Sequence, residues 1–231
     1  MNTRLNQKSK SFDWPAFIAA VDKTHGMNIP APRYRDFVKV HVRAMSGAGM
    51  SWQVHSMNMG GSVMVGVNFL SWHRWFLLQF ERRLQLVDPK ITIPYWDAVK
   101  DRSVPAALQD PALLKRWGLT REWDAAQLPT PADLQAVNKI DSFRFFQRTL
   151  EGAVHAGVHN AVGGDMAGPS SPTDPLFWLH HSNIDRIWSA WQKTHKGQAP
   201  DNLTDQLKPK PLFGVTVASV QSIATLGYRY A

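Results

Sequence analysis

Of the nine histidines in this chain, six stand where their type and spacing suit work on a metal ion. In LEGAVHAGVHN, residues 150–160, His155 and His159 lie four apart, and Glu151 lies four residues before the first. On a helix, that spacing stacks both imidazoles on one face, one turn apart, where they can converge on a single ion. His181, in LFWLHHSN, is placed to join them from a neighbouring helix as a third ligand. His41, His55 and His73 form a second set earlier in the chain. A lone HxxxH carries little weight, because a single histidine on an apolar face is more often a hydrogen-bonded core residue. Six on inward stripes are different. Burying so many polar rings is costly unless each nitrogen finds a partner, and a metal satisfies several together. All-imidazole ligation without thiolates suits copper or zinc rather than calcium or magnesium. HExxH is absent, so the commonest zinc-peptidase arrangement has no support. Two matched sets of three neutral nitrogens point to two similar ions face to face. A copper pair so held can take up dioxygen; a dizinc or mixed pair stays open on ligand chemistry alone.

Helical periodicity supplies the elements that must position these rings. SFDWPAFIAAVDKTHG reads as a short helix with Ser11 or Asp13 as cap, Pro15 in its first turn and Gly26 past its end. After the turn NIPAP, the segment RYRDFVKVHVRAM spaces Tyr34, Phe37, Val38, Val42 and Met45 helically, with His41 on the same stripe. Residues 46–66, rich in Gly, Ser and Met, read as loop. The clearest helix is FLSWHRWFLLQFERRLQLV, where His73, Phe76, Leu77, Phe80 and Leu84 share a face and Arg74, Glu81 and Arg82 are expected outside it. Pro89 stops it, ITIPYWDAVKDRSVP reads as an irregular connection, and short helices are expected around WGLTREWD and PADLQAV. DSFRFFQRTLEGAVHAGVHNAV is a third major helical region. The fourth opens at Asp174 and Pro175 and turns Phe177, His181, Ile184, Trp188 and Trp191 inward. The expected fold class is mainly α, a four-helix bundle core holding something polar in its middle, with long irregular loops. Residues 1–231 read as one domain, with 1–10 a basic N-terminal tail and 200–231 a loop-rich closure.

Composition narrows the function classes. With 44% hydrophobic and 19% charged residues, the chain fits a globular enzyme better than a disordered or coiled-coil protein. The absence of cysteine removes disulfides, thiolate nucleophiles and iron–sulfur ligation. The net charge of +8 is dispersed over positions such as Arg4, Lys8, Arg82, Arg83, Lys208 and Lys210, with no nucleic-acid motif. A solvated basic surface is expected and a nucleic-acid partner is not. No apolar run is long enough for a membrane span. The basic start MNTRLNQKSKSFDW lacks the hydrophobic run of a secretory signal, so a cytoplasmic protein, or one exported with a partner, is expected.

Four stretches, FLSWHRWFLLQFERRLQ, ITIPYWD, VHAGVHNAVGGDM and SPTDPLFWLHHSNIDRIWSAWQ, together resemble the tyrosinase (polyphenol oxidase) family of type-3 copper proteins in a short, bacterial-like form. They follow the family's order across residues 33–195, and the final GYRY resembles the family's domain ending. The resemblance implies a dinuclear copper site in the bundle, two copper ions with O2 as co-substrate. His41, His55 and His73 would hold the first copper, and His155, His159 and His181 the second. In the HH pair the family's ligand is the second residue, which leaves His180 behind the ligands. In many members the middle ligand of the first set lies nine residues before the WHR histidine, which is Met64 here; WQVH resembles a subgroup with a rearranged loop, which favours His55. The resemblance also implies that Asp185 orients a ligand imidazole and that Trp96 and Asp97 serve packing. Glu151 matches a glutamate that holds a water near the second copper and helps deprotonate phenols.

Glu151 and Asn160 are thus the candidate catalytic residues. Members that hydroxylate monophenols well often carry asparagine after the first histidine of the second set. Here Ala156 stands there and Asn160 follows the second, which favours diphenol oxidation over monophenol hydroxylation. Without cysteine, the histidine–cysteine thioether of some relatives is excluded, and His55 is expected to be held by packing alone. The implied activity is O2-dependent oxidation of a small phenolic substrate, o-diphenol to o-quinone, with ortho-hydroxylation of monophenols as an extension. An o-aminophenol oxidase or a haemocyanin-like reversible O2 carrier is the alternative. Some members have a C-terminal domain over the pocket; a chain ending without one implies an open site or a copper-delivery, caddie-like partner protein.

Overall fold

Carboxylates meet free backbone N–H groups where the helices starting at Trp14 and Leu176 begin. In a computed structural model, which describes residues 1–26, 29–59 and 61–231, Asp13 accepts a hydrogen bond from Ala16 N at 2.9 Å and Asp174 accepts one from Leu176 N at 2.9 Å. In chain order the elements are β1 (Asn2–Arg4), α1 (Trp14–His25), α2 (Tyr34–Ala44), β2 (Met57–Met59), β3 (Ser62–Met64), α3 (Phe69–Gln85), α4 (Pro111–Trp117) and α5 (Pro131–Asn138). There follow α6 (Phe143–Thr149), a π-helical turn (Leu150–His155), α7 (Ala156–Val162), α8 (Leu176–Thr194) and β4 (Tyr228–Tyr230). The core is the expected helical bundle of α2, α3, the α6–α7 run and α8. Its centre is aromatic: Phe80 stacks on Trp178 with ring centroids 3.9 Å apart, and Phe76, Phe177 and Phe37 pack around them. Each such buried ring contributes about 1.5–3 kcal/mol. A second apolar cluster, including Phe69, Phe146, Leu150 and Trp188, joins the α6–α7 run to α3 and α8.

Several expectations need correction. The turn NIPAP includes Asn28 and the loop 46–66 includes Gly60, and both lie outside the described residues. The rest of 46–66 is more ordered than a loop, with a 3-10 helix at Gly47–Trp52 and an antiparallel β2–β3 hairpin pairing Met57 with Met64. No helix forms over 119–124; α4 lies just before, capped by Asp110 and ended by Gly118 at φ 65°. Val42 is 38% exposed, because the buried line of α2 runs through Tyr34, Phe37, His41 and Ala44. Among the described residues no helix is long and apolar enough to cross a membrane.

The largest correction concerns charge. Residues 1–10 are no tail: β1 runs parallel to β4, with Arg4 opposite Tyr230, and Arg4 is 0% exposed. Arg74 and Glu81 also lie inside, and of the three charges expected on the outer face of α3 only Arg82 is exposed. Periodicity sorts residues by polarity, so it places a buried charge wrongly whenever the neutralising partner comes from far along the chain. Glu81 meets Arg4 across 77 residues, and Arg74 meets Asp185 across 111.

Candidate metal centre

Each element of the bundle brings histidine to the centre. His41 stands in the last turn of α2, His73 in α3, His155 and His159 across the π turn and α7, and His181 in α8. His55 comes from the loop just before β2. The ligand atoms of His41, His55 and His73 lie within 4.8 Å of one another, and so do those of His155, His159, His180 and His181. The two sets face each other: the rings of His73 and His181 stack at 4.2 Å and 9°. The first set is completed by His55, while Met64 sits in the hairpin strand β3.

Backbone carbonyls orient the rings. His41 Nδ1 donates to Pro169 O at 2.7 Å, His73 Nδ1 to Phe69 O at 2.8 Å, His155 Nδ1 to Glu151 O at 3.1 Å and His159 Nδ1 to Met166 O at 2.6 Å. A carbonyl only accepts, so each ring keeps its proton on Nδ1 and turns the Nε2 lone pair inward. Nε2 of His41, His55, His73 and His155 is buried without a hydrogen-bond partner, and Nε2 of His159 lies 3.4 Å from Nε2 of His181. Leaving a buried polar atom unpaired costs about 1–3 kcal/mol. Converging lone pairs of this kind fit a cation ligand set, and imidazole suits copper and zinc alike. Burial holds His41, His73, His155 and His181 well below the usual histidine range, reinforced by neighbouring imidazoles, and burial lowers His159 to about 4. These five rings are therefore neutral at neutral pH.

Other expected residues fall differently. His180 is not simply behind the ligands: its ring lies parallel to His155 at 5.4 Å, and both its nitrogens are buried without partners. Asp185 orients no imidazole. It accepts Arg74 Nε at 2.5 Å and Arg4 Nη1 at 3.4 Å, together with the hydroxyls of Tyr228 and Tyr230, both at 2.6 Å. Burial pushes its carboxyl up, but the two arginines and the hydroxyls bring it below the usual range. Glu151 accepts Ser56 N at 2.9 Å and Ser56 Oγ at 2.7 Å, with His55 Nδ1 3.5 Å away. His55 is thus held by polar contacts and not by packing alone. Asn160 is exposed. Trp96 and Asp97 do serve packing, Trp96 donating to Asp101 O at 2.8 Å and Asp97 pairing with Arg186 at 2.9 Å. Sequence reasoning missed Ser56 and Gln147, whose partners are backbone groups and a carboxylate far along the chain.

The model of the common central domain of tyrosinase matches residues 31–118 and 109–194. A tyrosinase of Streptomyces galbus is 32% identical, over 90% of this chain and 93% of its own. A polyphenol oxidase structure from Thermothelomyces thermophila superposes with a TM-score of 0.73 at 19% identity, covering 100% of this chain and 89% of that one. A deoxygenated haemocyanin from Rapana thomasiana superposes at 0.75 and 21% identity, covering 99% of this chain and 69% of that one. At those identities the structural likenesses speak to the fold.

Proposed function

The chain belongs to the tyrosinase family, and on that premise we propose that it is a type-3 dicopper phenol oxidase, using O2 to convert o-diphenols to o-quinones. The observation that carries this reading is the convergence of two sets of histidine ring nitrogens: Nε2 of His41, His55, His73 and His155 is buried without a hydrogen-bond partner, and Nε2 of His159 and of His181 face each other at 3.4 Å. His41, His55 and His73 would hold one copper; His155, His159 and His181 would hold the other, with His180 within reach. When bound, the copper pair supplies a site for O2 and the capacity to take two electrons from the phenolic substrate.

The protein supplies the rest. Carbonyl contacts fix the ring planes before any ion arrives, so little reorganisation is needed. Phe69, 4.8 Å from the rings of both His73 and His155, and Phe177, 4.2 Å from that of His181, pack apolar rings against both sets. Glu151 is the proposed proton acceptor for a phenolic hydroxyl, directly or through one water. Asn160 directly follows His159, and its exposure leaves its amide accessible to a substrate hydroxyl. With Ala156 after His155, the reading favours diphenol oxidation, with monophenol hydroxylation as the lesser activity. A copper-delivery, caddie-like partner is supported by burial: His41, His55, His73 and His181 are each under 5% exposed, so free ions meet few accessible nitrogens.

Parallel turnover of tyramine, a catechol and an o-aminophenol by copper-loaded protein tests the proposal. Catechol should give o-quinone fastest, and His159→Ala should lower that rate by about three orders of magnitude or more. Turnover of o-aminophenol alone would shift the reading to an aminophenol oxidase. Reversible oxygenation without quinone would shift it to an O2 carrier.

A further inference from the structure

His55 stands on a loop whereas the other ligands of its set stand on helices, and the chain has no cysteine to tether its ring. One helical run holds that loop. Gln147 of α6, buried, donates from Nε2 to the carbonyls of Gly66 at 3.0 Å and Val67 at 3.1 Å, while its Oε1 accepts Leu70 N at 3.1 Å. Four residues on, the Glu151 carboxylate grips Ser56 through both oxygens, one on the backbone N–H and one on the hydroxyl. Ser56 Oγ in turn accepts Gly66 N at 3.1 Å and closes the base of the loop. A Cβ on residue 66 would come within 2.5 Å of the His55 carbonyl carbon and 2.6 Å of the Val54 oxygen, so this close approach requires glycine.

We propose that Gln147, Glu151 and Ser56 form a clamp of positioning residues, by which the helical run of the second histidine set holds His55 in the first. The proposal rests on the dicopper reading and adds to Glu151's proton-accepting role. A buried amide is costly unless its donors and acceptor are all used, and Gln147 spends them on backbone flanking the His55 loop. His41 and His73 stand on helices and donate Nδ1 to the carbonyls of Pro169 and Phe69, which the clamp does not hold, so loosening it acts chiefly on His55, with Leu70 N at the start of α3 the other group released. The pocket for one ion thereby depends on residues carried by the elements of the other.

Titration of the whole apo chain with copper against a competing chelator, reading copper bound per chain, tests the clamp without reference to turnover. Gln147→Leu and Ser56→Ala should each weaken one of two ions by about 10–100-fold and leave the other unchanged. Ser56→Thr keeps the hydroxyl and should retain both. Added to His159→Ala, Gln147→Leu should weaken the remaining ion by the same factor; added to His55→Ala, it should change nothing further. Melting of each apo variant reports general loss of structure, and Ser56→Ala carries the test if Gln147→Leu does not fold. Two ions of unchanged affinity in both variants, or equal weakening of both ions, would overturn the clamp while leaving the dicopper reading intact. A wild-type chain binding fewer than two coppers would overturn both.

Discussion

Two buried polar clusters adjoin one another along α3 and α8, and they are finished to different degrees. Around His73 and His181, ring nitrogens end without hydrogen-bond partners. One residue along from His73 and one turn along from His181, Arg74 and Asp185 belong to a cluster whose carboxylate oxygens are all met. Asp185 receives two arginines and two tyrosine hydroxyls. Glu81 receives Arg4 Nε at 2.9 Å, Arg4 Nη2 at 3.3 Å and Ile93 N at 2.8 Å. The Arg74 guanidinium also lies 3.4 Å from the centre of the Trp188 ring. Burial is the same in both clusters, so burial does not mark function. Completeness differs: the charged cluster satisfies itself and ties the chain ends to the bundle, whereas the histidines leave buried ring nitrogens open, as a cation would need them.

If that contrast holds, breaking the charged cluster should cost stability and spare metal binding. Asp185→Asn leaves Arg4 and Arg74 short of counter-charge and should lower apo stability by about 3–5 kcal/mol in urea unfolding, with two coppers still bound per folded chain. Tyr228→Phe removes a single hydrogen bond to a charged group and should cost about 1.5–3 kcal/mol. The clusters should also separate by pH. The buried histidines stay neutral in the fold while their unfolded counterparts gain protons from about pH 6.5 downward. Apo stability should therefore be complete above pH 6.5 and fall toward pH 4, at up to about 1.4 kcal/mol per pH unit for each ring. The contribution of Asp185, whose folded carboxyl titrates below its unfolded value, should persist through that window and disappear only below about pH 4. A single descent confined to the lower window would contradict the neutral-ligand reading. The smallest effect is expected at the surface: Lys8, 62% exposed in its pair with Asp101, should change unfolding by no more than about 1 kcal/mol when replaced by alanine.

The same contrast explains what could be read before folding. Histidine at helical spacing is legible because the spacing itself is the ligand geometry, so His155, His159, His73 and His181 were within reach of the sequence. Asp13 and Asp174 were legible as caps because their partners lie two or three residues away. His55 needed the loop resemblance, since nothing in local spacing brings it to His41. Arg4, Arg74 and Glu81 were misread because a long-range ion pair looks like surface polarity until its partner arrives, and Asp185, expected to orient an imidazole, instead meets Arg4, Arg74 and two tyrosine hydroxyls from far along the chain. Gln147 and Ser56 were missed for a related reason: their chief partners are backbone groups and a carboxylate far along the chain. The nearest signal was that Gln147 precedes Glu151 by one turn, on the face that Glu151 shares.

Equilibrium dialysis of copper against wild type, His55→Ala and His159→Ala tests the two-set assignment most directly. The prediction is two tightly held ions in the wild-type chain and one in each variant, a different one in each case. Two ions retained in either variant, or a wild-type chain that saturates at one, would contradict a centre built from three histidines on each side.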